Sequence, residues 1–225
     1  MTPRLTTLLL PRQVIVLLWL WLGLAGAYAG ETALKAEEIA RLISQSSLQD
    51  EILGVMELEL PSPADEGLDD FKIEPSDRQS FAIDGSGGWY YVLGDGRILM
   101  VESEGTAGVV APDFETFLAI ATGLPGWRDA LRFVGEADLE TARAAWLDYV
   151  RQWDLDAAMD KPWPYYPEQF SIATPGLARE AIRAEFGISA ASDPFAALYQ
   201  AVNMLNGDVK VAWQGADFEI FGAGP

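Results

Sequence analysis

The spacing of apolar residues near the start of the chain predicts a pair of helices. Between residues 32 and 45 apolar positions recur every three or four residues, which is the period of an amphipathic helix. A shorter helix is expected next, with Ser47 as its cap and with Asp50 and Glu51 in its first turn, where carboxylates favour the helix dipole. The segment that begins at residue 32 is therefore predicted to be helical.

The segment from Met56 to Leu60 has a different pattern, because apolar and acidic residues alternate along it. Met56, Leu58 and Leu60 would face one way and Glu57 and Glu59 the other, as in a half-buried strand. The stretch that follows, residues 61–79, is proline-rich and acidic and shows almost no periodicity. We expect it to be an exposed acidic loop.

A run of short apolar segments separated by glycines comes next and predicts a β-meander. Strands are expected at 80–84, 89–93, 97–102 and around 108–111. Glycine-rich turns separate them, Gly85-Ser86-Gly87-Gly88 first and the tight hairpin Gly94-Asp95-Gly96 second. Strands joined by such short turns pair in antiparallel fashion.

The second half of the chain carries helix signals in regular order. Asp113 and Asp138 each precede a helical pattern, and Thr174-Pro175 and Asp193-Pro194 combine an N-cap with a proline to open helices at 175–186 and 194–205. Two short strands close the chain, near 209–213 and 217–221. The predicted fold class is therefore α+β, with a mostly antiparallel sheet and helices packed on one side.

The first thirty residues have the three parts of a secretory signal peptide. Basic residues come first, an apolar run follows, and Ala27-Tyr28-Ala29 places the cut before Gly30. The apolar run is shorter than the roughly 20 residues that span a bilayer. We predict a signal peptide at 1–29 and a single exported domain at 30–225, periplasmic or secreted. The alternatives are an uncleaved membrane anchor, or a cytoplasmic protein whose start site is misassigned.

Composition excludes many kinds of chemistry. The 225 residues include no histidine and no cysteine, which removes disulfides, thiolate nucleophiles, Ser-His-Asp catalysis and histidine- or cysteine-ligated metals. With 34 acidic against 15 basic residues the formal charge is −19. Loss of the signal peptide would remove two arginines and no acid, which takes the charge to −21. A nucleic-acid partner is not expected at this charge, nor is membrane contact beyond the N-terminal segment. No cofactor, no metal site and no enzymatic activity are predicted.

The region from Phe81 to Phe133 resembles the SUKH superfamily. An Asp-Gly-Ser-Gly turn at 84–87 leads into an apolar strand and a hairpin. A Ser-Glu-Gly turn at 103–105 follows, and then a strand that enters a helix from Ala111 to Leu118. The tail is also similar, with Asp193-Pro194 opening a helix and Phe-Glu-Ile-Phe-Gly at 218–222.

This resemblance implies an α+β fold and a binding role. Many bacterial members of the superfamily are similar to immunity proteins that neutralise a cognate toxin, often a nuclease, and others to non-enzymatic regulatory or scaffold modules. A strongly acidic protein would be steered onto a basic toxin surface. One feature departs from the family pattern, because immunity proteins to toxins that act in the cytoplasm work there, whereas this chain is predicted to be exported. Either its target acts outside the cytoplasm, the start site is misassigned, or the fold serves another role.

The acidic residues are therefore the best candidates for binding a basic protein partner. Eight acids and one lysine lie between Glu57 and Asp77. A second group flanks Ser103, where two carboxylates share one face of a strand end. The candidate partner-binding residues are Glu57, Glu59, Asp65, Glu66, Asp69, Asp70, Glu102 and Glu104.

Two alternative functions remain open. Paired carboxylates such as Glu102 and Glu104 can perform general acid–base chemistry, so a carboxylate-based hydrolase is one alternative. An envelope scaffold with a ligand groove near the aromatic loop at 162–167 is the other.

Two further motifs are assigned structural roles. Asp84, Gly85, Ser86 and Gly87 are assigned to a tight turn, since the segment matches neither a nucleophile elbow nor a phosphate loop. Trp146, Tyr149 and Trp153, at helical spacing, are predicted to be core or helix-packing residues.

Overall fold

The fold is α+β, as predicted, in a computed structural model that describes residues 33–62, 65 and 70–222. The predicted signal peptide and the candidate residues Glu66 and Asp69 lie outside the described residues. Among the described residues, no helix is both long and apolar enough to span a membrane.

A five-stranded sheet forms the centre of the fold. Its order is β2-β3-β4-β5-β8, with antiparallel pairing except between β5 and β8, which run parallel. The short glycine turns dictate the antiparallel pairing of the first four strands, because connections of four or five residues are long enough only to reverse the chain. These five strands are Arg78–Ile83 (β2), Trp89–Leu93 (β3), Ile98–Val101 (β4), Thr106–Ala111 (β5) and Glu219–Ile220 (β8).

A smaller sheet covers one face of the larger sheet. It consists of Lys72–Glu74 (β1), Lys210–Trp213 (β6) and Ala216–Asp217 (β7), in the order β1-β6-β7. Its buried residues Ile73 and Val211, with Val209 just before β6, form one apolar cluster with alternate residues of β3, β4 and β5, among them Tyr91 and Leu99. This second layer explains why every residue of β3 and β4 is buried.

The helices cover the other face of the large sheet, as predicted. Tyr90, Val92, Ile98 and Met100 point into the main core, where they join residues of the helices. In chain order the helices are Ala36–Gln45 (α1), Gln49–Met56 (α2), Phe114–Gly123 (α3), Trp127–Ala130 (α4), Leu139–Gln152 (α5), Leu155–Ala158 (α6), Pro175–Phe186 (α7) and Pro194–Leu205 (α8).

The predicted helix caps are confirmed at four positions. The side chains of Asp113, Asp138, Thr174 and Asp193 each accept a hydrogen bond from a backbone N–H in the first turn of the helix that follows. The cap of α2 differs from the prediction: Leu48 occupies the position and no side chain caps the helix, although Asp50 and Glu51 lie in its first turn as expected.

The predicted strand at 56–60 is wrong. The helix α2 extends to Met56, Glu57 adopts a left-handed conformation at its end, and only Glu59 makes a bridge, to Ile83. Side-chain burial still alternates as the pattern predicts, with Met56 and Leu58 buried and the two glutamates exposed. The burial alternates because the chain leaves α2 at Glu57 and then runs along the edge of the core, and not because the segment is a paired strand.

The segment at 61–79 also differs from the expected exposed loop. Its described part contains β1, which pairs with β6 and buries Ile73, and the start of β2 at Arg78. A three-residue strand with one inward side chain has too short a pattern to be distinguished from a loop.

Candidate functional site

Two turns at one end of the large sheet carry the polar residues of the candidate site. The first, Asp84 to Gly88, joins β2 to β3, and the second, Glu102 to Gly105, joins β4 to β5. Because antiparallel strands alternate in direction, these two turns meet at the same end of the sheet. Gly87 and Ser103 lie close together, since a Cβ on Gly87 would be 3.9 Å from the Ser103 Cβ.

The carboxylate of Asp84 organises the first turn. Its Oδ1 accepts hydrogen bonds from the Ser86 N–H at 2.8 Å, the Ser86 hydroxyl at 2.8 Å and the Gly88 N–H at 2.7 Å. Gly88 must be glycine, because a Cβ there would lie 2.5 Å from Asp84 Oδ2 and 2.8 Å from the Val101 carbonyl. The Ser86 hydroxyl is therefore held in the turn by its hydrogen bond to Asp84.

Arg128, on α4, connects the two turns. One guanidinium nitrogen lies 2.9 Å from Asp84 Oδ2 and 3.3 Å from Glu102 Oε1. Burial acts to raise the pKa of Asp84, but hydrogen bonds from Gly88 and Ser86, together with the Arg128 charge, hold that pKa below its ordinary value. Asp84 is thus an ionised, 2 % exposed carboxylate whose charge is compensated.

The hydroxyl of Tyr90 is the remaining polar group in this cluster. The ring packs in the core against Phe117 and Trp127, at centroid distances of 5.9 and 6.4 Å. Burial raises the pKa of Tyr90 well above its ordinary value, and Arg128 offsets only part of that effect. The hydroxyl is buried and has no hydrogen-bond partner among the described residues.

Glu57 projects from the end of α2 toward the same cluster. Its φ of +56° is the left-handed conformation in which many helices end, although glycine is the usual residue there. The Glu57 side chain is exposed, but the surrounding protein atoms displace part of the water around its carboxylate. This desolvation raises the pKa of Glu57, and the charge of Arg128 counteracts the rise only in part. A negative charge at a helix C-terminus is also unfavourable. Glu57 is therefore a carboxylate that holds its proton more tightly than an ordinary glutamate.

These groups border a cleft of about 510 Å³, which we call the acidic cleft. Asp50, Glu57 and Glu59 supply negative charge, and Arg128 is the basic side chain found among the lining residues that the structure describes. The other lining residues are Leu53, Gly54, Leu58, Gly85, Ser86, Gln169 and Phe170.

The loop before α7 forms one wall of the acidic cleft and is held by Glu51. Its Oε1 accepts hydrogen bonds from Ser171 N–H at 2.7 Å, from the Ser171 hydroxyl at 2.7 Å and from Ile172 N–H at 2.9 Å. Burial acts to raise the pKa of Glu51, but these hydrogen bonds outweigh it and lower the pKa. Phe170 stacks on Trp163 at 3.8 Å and lies over Gly54, where a Cβ would be 2.7 Å from the Phe170 ring.

The aromatic loop at 162–167 is divided between the core and the surface. Trp163 is buried, and its indole N–H donates to the Ile172 carbonyl at 2.8 Å. Tyr165 and Tyr166 are 77 % and 66 % exposed. Trp153 follows the end of α5 and is 60 % exposed, whereas Trp146 and Tyr149 supply the inward face of the helix. Trp153 is therefore not a core residue, but its ring packs against Tyr149 at a centroid distance of 6.1 Å, in agreement with the predicted helix-packing role.

The described candidate partner-binding residues lie at the same end of the large sheet, but they are divided between separate surfaces. Glu57 and Glu59 line the acidic cleft, whereas Asp65 and Asp70 line a second cavity of about 220 Å³. The turn from Asp84 to Gly87 lies between the two, with Gly85 and Ser86 in the first and Gly87 in the second. Glu102 is paired with Arg128 and accepts a hydrogen bond from Thr106, and Glu104 is exposed.

Several site residues had no recognisable signal in the sequence. Arg128, Tyr90 and Phe170 are single residues far along the chain from the acidic residues they approach, so neither spacing nor composition singles them out. In the described part of the chain, no group of three or more acidic side chains is arranged to hold a metal ion.

Comparison with known proteins yields no relative. No family model matches this chain, and no curated protein and no solved structure matches it. The likeness to the SUKH superfamily remains a prediction from the residues between Phe81 and Phe133.

Proposed function

We propose that this chain is a SUKH-like, non-catalytic binding protein whose acidic cleft accepts a basic side chain of a protein partner. The observation that supports this proposal is the concentration of Asp50, Glu57 and Glu59 around one cleft, in a protein of formal charge −19. An immunity protein that neutralises a basic toxin would have these properties. Its partner would act outside the cytoplasm if the chain is exported.

The charges in the acidic cleft favour a cation. Asp84 and Glu102 already compensate Arg128, so its positive charge does not balance the three other acids. The apolar walls contributed by Leu53 and Phe170 would shield an incoming guanidinium or ammonium from water and strengthen its attraction to these acids. The protein's overall negative charge would accelerate encounter with a basic partner.

The direct test is salt-dependent capture of a partner by the immobilised full-length protein from the cells that produce it. We expect a basic protein to bind at about 0.05 M salt and to be lost at about 0.5 M, because screening shortens the range of the charges. A double substitution, Glu57→Gln with Glu59→Gln, should reduce its retention. If the partner is a toxin, stoichiometric addition of the wild-type protein should inhibit the toxin's activity.

A matched control removes the same charge elsewhere. Glu37→Gln with Glu180→Gln also deletes two exposed carboxylates, but these residues lie on α1 and α7 and do not line the acidic cleft. This double variant should retain the partner nearly as well as wild type. If both double variants lost the partner equally, binding would depend on the protein's overall charge and not on the acidic cleft. Absence of a partner at either salt concentration would contradict the proposal.

One observation favours a second candidate, a carboxylate-based hydrolase. Glu57 holds a proton more tightly than usual while nearby Asp84 is ionised, and acid–base catalysis uses carboxylates whose pKa values differ in this way. Asp84, however, is enclosed by Ser86, Gly88 and Arg128 and has no oxygen directed to a substrate. A panel of glycoside and ester substrates would test this candidate. Turnover abolished by Glu57→Gln would support it, and absence of turnover would leave the binding role.

The proposed export has its own test. N-terminal sequencing of the protein from its native cells should begin at Gly30 if the signal peptide is cleaved as predicted. A protein that begins at Met1 and fractionates with the membrane would instead support the anchor.

A further inference from the structure

The second cavity, on the other side of the Asp84 to Gly87 turn, has walls of a different kind. Four segments that are distant in sequence converge on it and contribute aromatic rings. Phe71 precedes β1, Trp89 begins β3, Trp213 ends β6 and Phe218 joins β7 to β8. We call this the aromatic cavity. The remaining lining residues are Asp65, Asp70, Ile83, Gly87 and Ser103.

The rings of the aromatic cavity are held in place by neighbouring groups. Phe71 and Phe218 meet edge to face with centroids 5.6 Å apart, and Trp89 stacks with Tyr91 at 6.4 Å. The indole N–H of Trp213 donates to Asp70 Oδ1 at 2.6 Å. A site whose walls are already ordered loses little conformational entropy when a ligand binds.

The fold leaves part of this aromatic surface open to solvent. Trp213 is 42 % exposed, and Phe71 and Phe218 are half-buried. Their ring faces carry negative electrostatic potential, which attracts a cation placed over them. Asp65 and Asp70 add carboxylates, and no basic side chain lines the cavity among the residues described. Both the rings and the acids therefore favour a positively charged ligand.

We propose that the aromatic cavity binds an organic cation with a trimethylammonium group. A primary ammonium binds best where oxygen acceptors surround its three N–H donors, whereas the described lining of this cavity is mostly aromatic and aliphatic. Its polar side chains there are Ser103 and two carboxylates, and one of these carboxylates already accepts from Trp213. A trimethylammonium group has no N–H to satisfy and places its methyl groups against the rings. The volume of about 220 Å³ is below that of pockets for drug-sized ligands and suits a head group.

This site goes beyond the proposed function, because it shares no lining residue with the acidic cleft. The Glu57→Gln and Glu59→Gln double variant should bind the organic cation as wild type does. The two proposals can therefore fail separately.

The first experiment compares choline with 3,3-dimethylbutan-1-ol, which has the same shape and no charge. Each is titrated into the full-length protein and followed by calorimetry and by the indole N–H resonance of Trp213. We expect choline to bind at least about tenfold more tightly, since cation–π and charge attraction both depend on the positive charge. Equal binding of the two would reduce the cavity to an apolar groove, and lack of binding by choline would overturn the proposal.

Substitutions then test the walls. Trp213→Leu should abolish choline binding, Trp213→Phe should retain part of it, and Asp70→Asn should weaken it about five- to tenfold. Trp153→Leu is the matched control, because Trp153 is even more exposed and does not line the cavity. Circular dichroism verifies that each variant is folded. Unchanged binding by a folded Trp213→Leu variant would contradict the assignment.

The same group also occurs on trimethyllysine, and a second arm distinguishes the sources. Matched peptides that contain lysine or trimethyllysine are titrated in the same way. Tighter binding of the trimethylated peptide than of choline would assign the ligand to a modified protein, and the reverse order to a free small molecule. Equal binding of the lysine and trimethyllysine peptides would overturn the requirement for methyl groups.

Discussion

At the residue scale, Glu57 combines two unfavourable features whose removal should stabilise the protein. Burial raises its pKa, so the folded state holds the proton to a higher pH than the unfolded chain does. Stability then falls as the pH rises from the unfolded value, about 4.3, through the raised folded value. We expect Glu57→Gln to be more stable than wild type at pH above this window and similar below it. Urea unfolding on both sides of the window measures the difference.

The backbone of Glu57 supplies the second contribution. Its φ of +56° costs about 1–2 kcal/mol for a residue with a Cβ, and glycine returns part of that gain through unfolded-state entropy. Glu57→Gly should therefore add about 0.5–1 kcal/mol beyond Glu57→Gln. Glu37→Gln, at an exposed position on α1, is the control. If both Glu57 variants were less stable at neutral pH, the residue would be structural and the strain argument would be wrong.

Asp84 should behave in the opposite way. Its folded pKa is lowered, so its contribution to stability is complete above the unfolded pKa, about 3.9, and is lost as the pH falls toward the folded value. Asp84→Ala should cost about 2–3 kcal/mol at neutral pH, because it leaves the buried Gly88 N–H without an acceptor and removes one of the two carboxylates that pair with Arg128. It should also flatten the acid limb of the stability profile, measured by chemical unfolding between neutral and acid pH.

A helix cap provides the matched control for Asp84. Asp138 also accepts a backbone N–H, from Thr141 at 2.8 Å, but it is exposed and has no ion-pair partner among the described residues. Asp138→Ala should cost only about 1 kcal/mol. Equal losses at the two positions would mean that the Arg128 pair contributes nothing.

At the scale of elements, the sequence predicts what depends on local pattern and misses what depends on distant partners. The meander and the helices α3, α5, α7 and α8 follow from glycine turns, caps and helical periods. The strand near 209–213 is confirmed as β6, but its partner β1 was not predicted, because β1 is three residues long and pairs with β6 far along the chain. The predicted strand at 56–60 fails because burial of Ile52, Val55 and Met56 supports a helix that ends within it.

The candidate site divides in the same way. Glu57 and Glu59 could be selected from the sequence because acids are concentrated around them. The side chains that give the acidic cleft its chemistry, Arg128 and Phe170, enter from single positions on other elements. A tertiary contact of this kind leaves no periodic signal in one sequence.

The loop that ends at Ile172 yields an element-scale prediction. Three hydrogen bonds to Glu51 Oε1 tie it to α2, so Glu51→Ala should free the backbone N–H groups of Ser171 and Ile172. We expect faster amide exchange at these two positions and a loss of about 1–3 kcal/mol in the free energy of unfolding. Asp50→Ala, at the neighbouring position, should leave that exchange unchanged. Unaltered exchange in Glu51→Ala would mean that Trp163 and Phe170 alone hold the loop.

At the scale of the whole molecule, net charge is the dominant electrostatic feature. A formal charge of −19 means that most long-range pairs of charges repel each other, and self-repulsion destabilises a compact state. The ion pairs within the described residues are mostly at the surface, where each contributes little. Screening should therefore weaken repulsion more than attraction.

We accordingly expect the melting temperature at neutral pH to rise between about 0.02 and 0.2 M sodium chloride, as the Debye length falls through about 10 Å. Calorimetry on the full-length protein measures the shift. The matched condition is a pH near the isoelectric point of about 4.2, where acids and bases balance. There the same addition of salt screens attraction as much as repulsion, so the rise should vanish or reverse. An equal rise in melting temperature at both pH values would point to exclusion of salt from the protein surface rather than to net charge. In that case self-repulsion would not destabilise the free protein, and a basic partner would not gain affinity by relieving it.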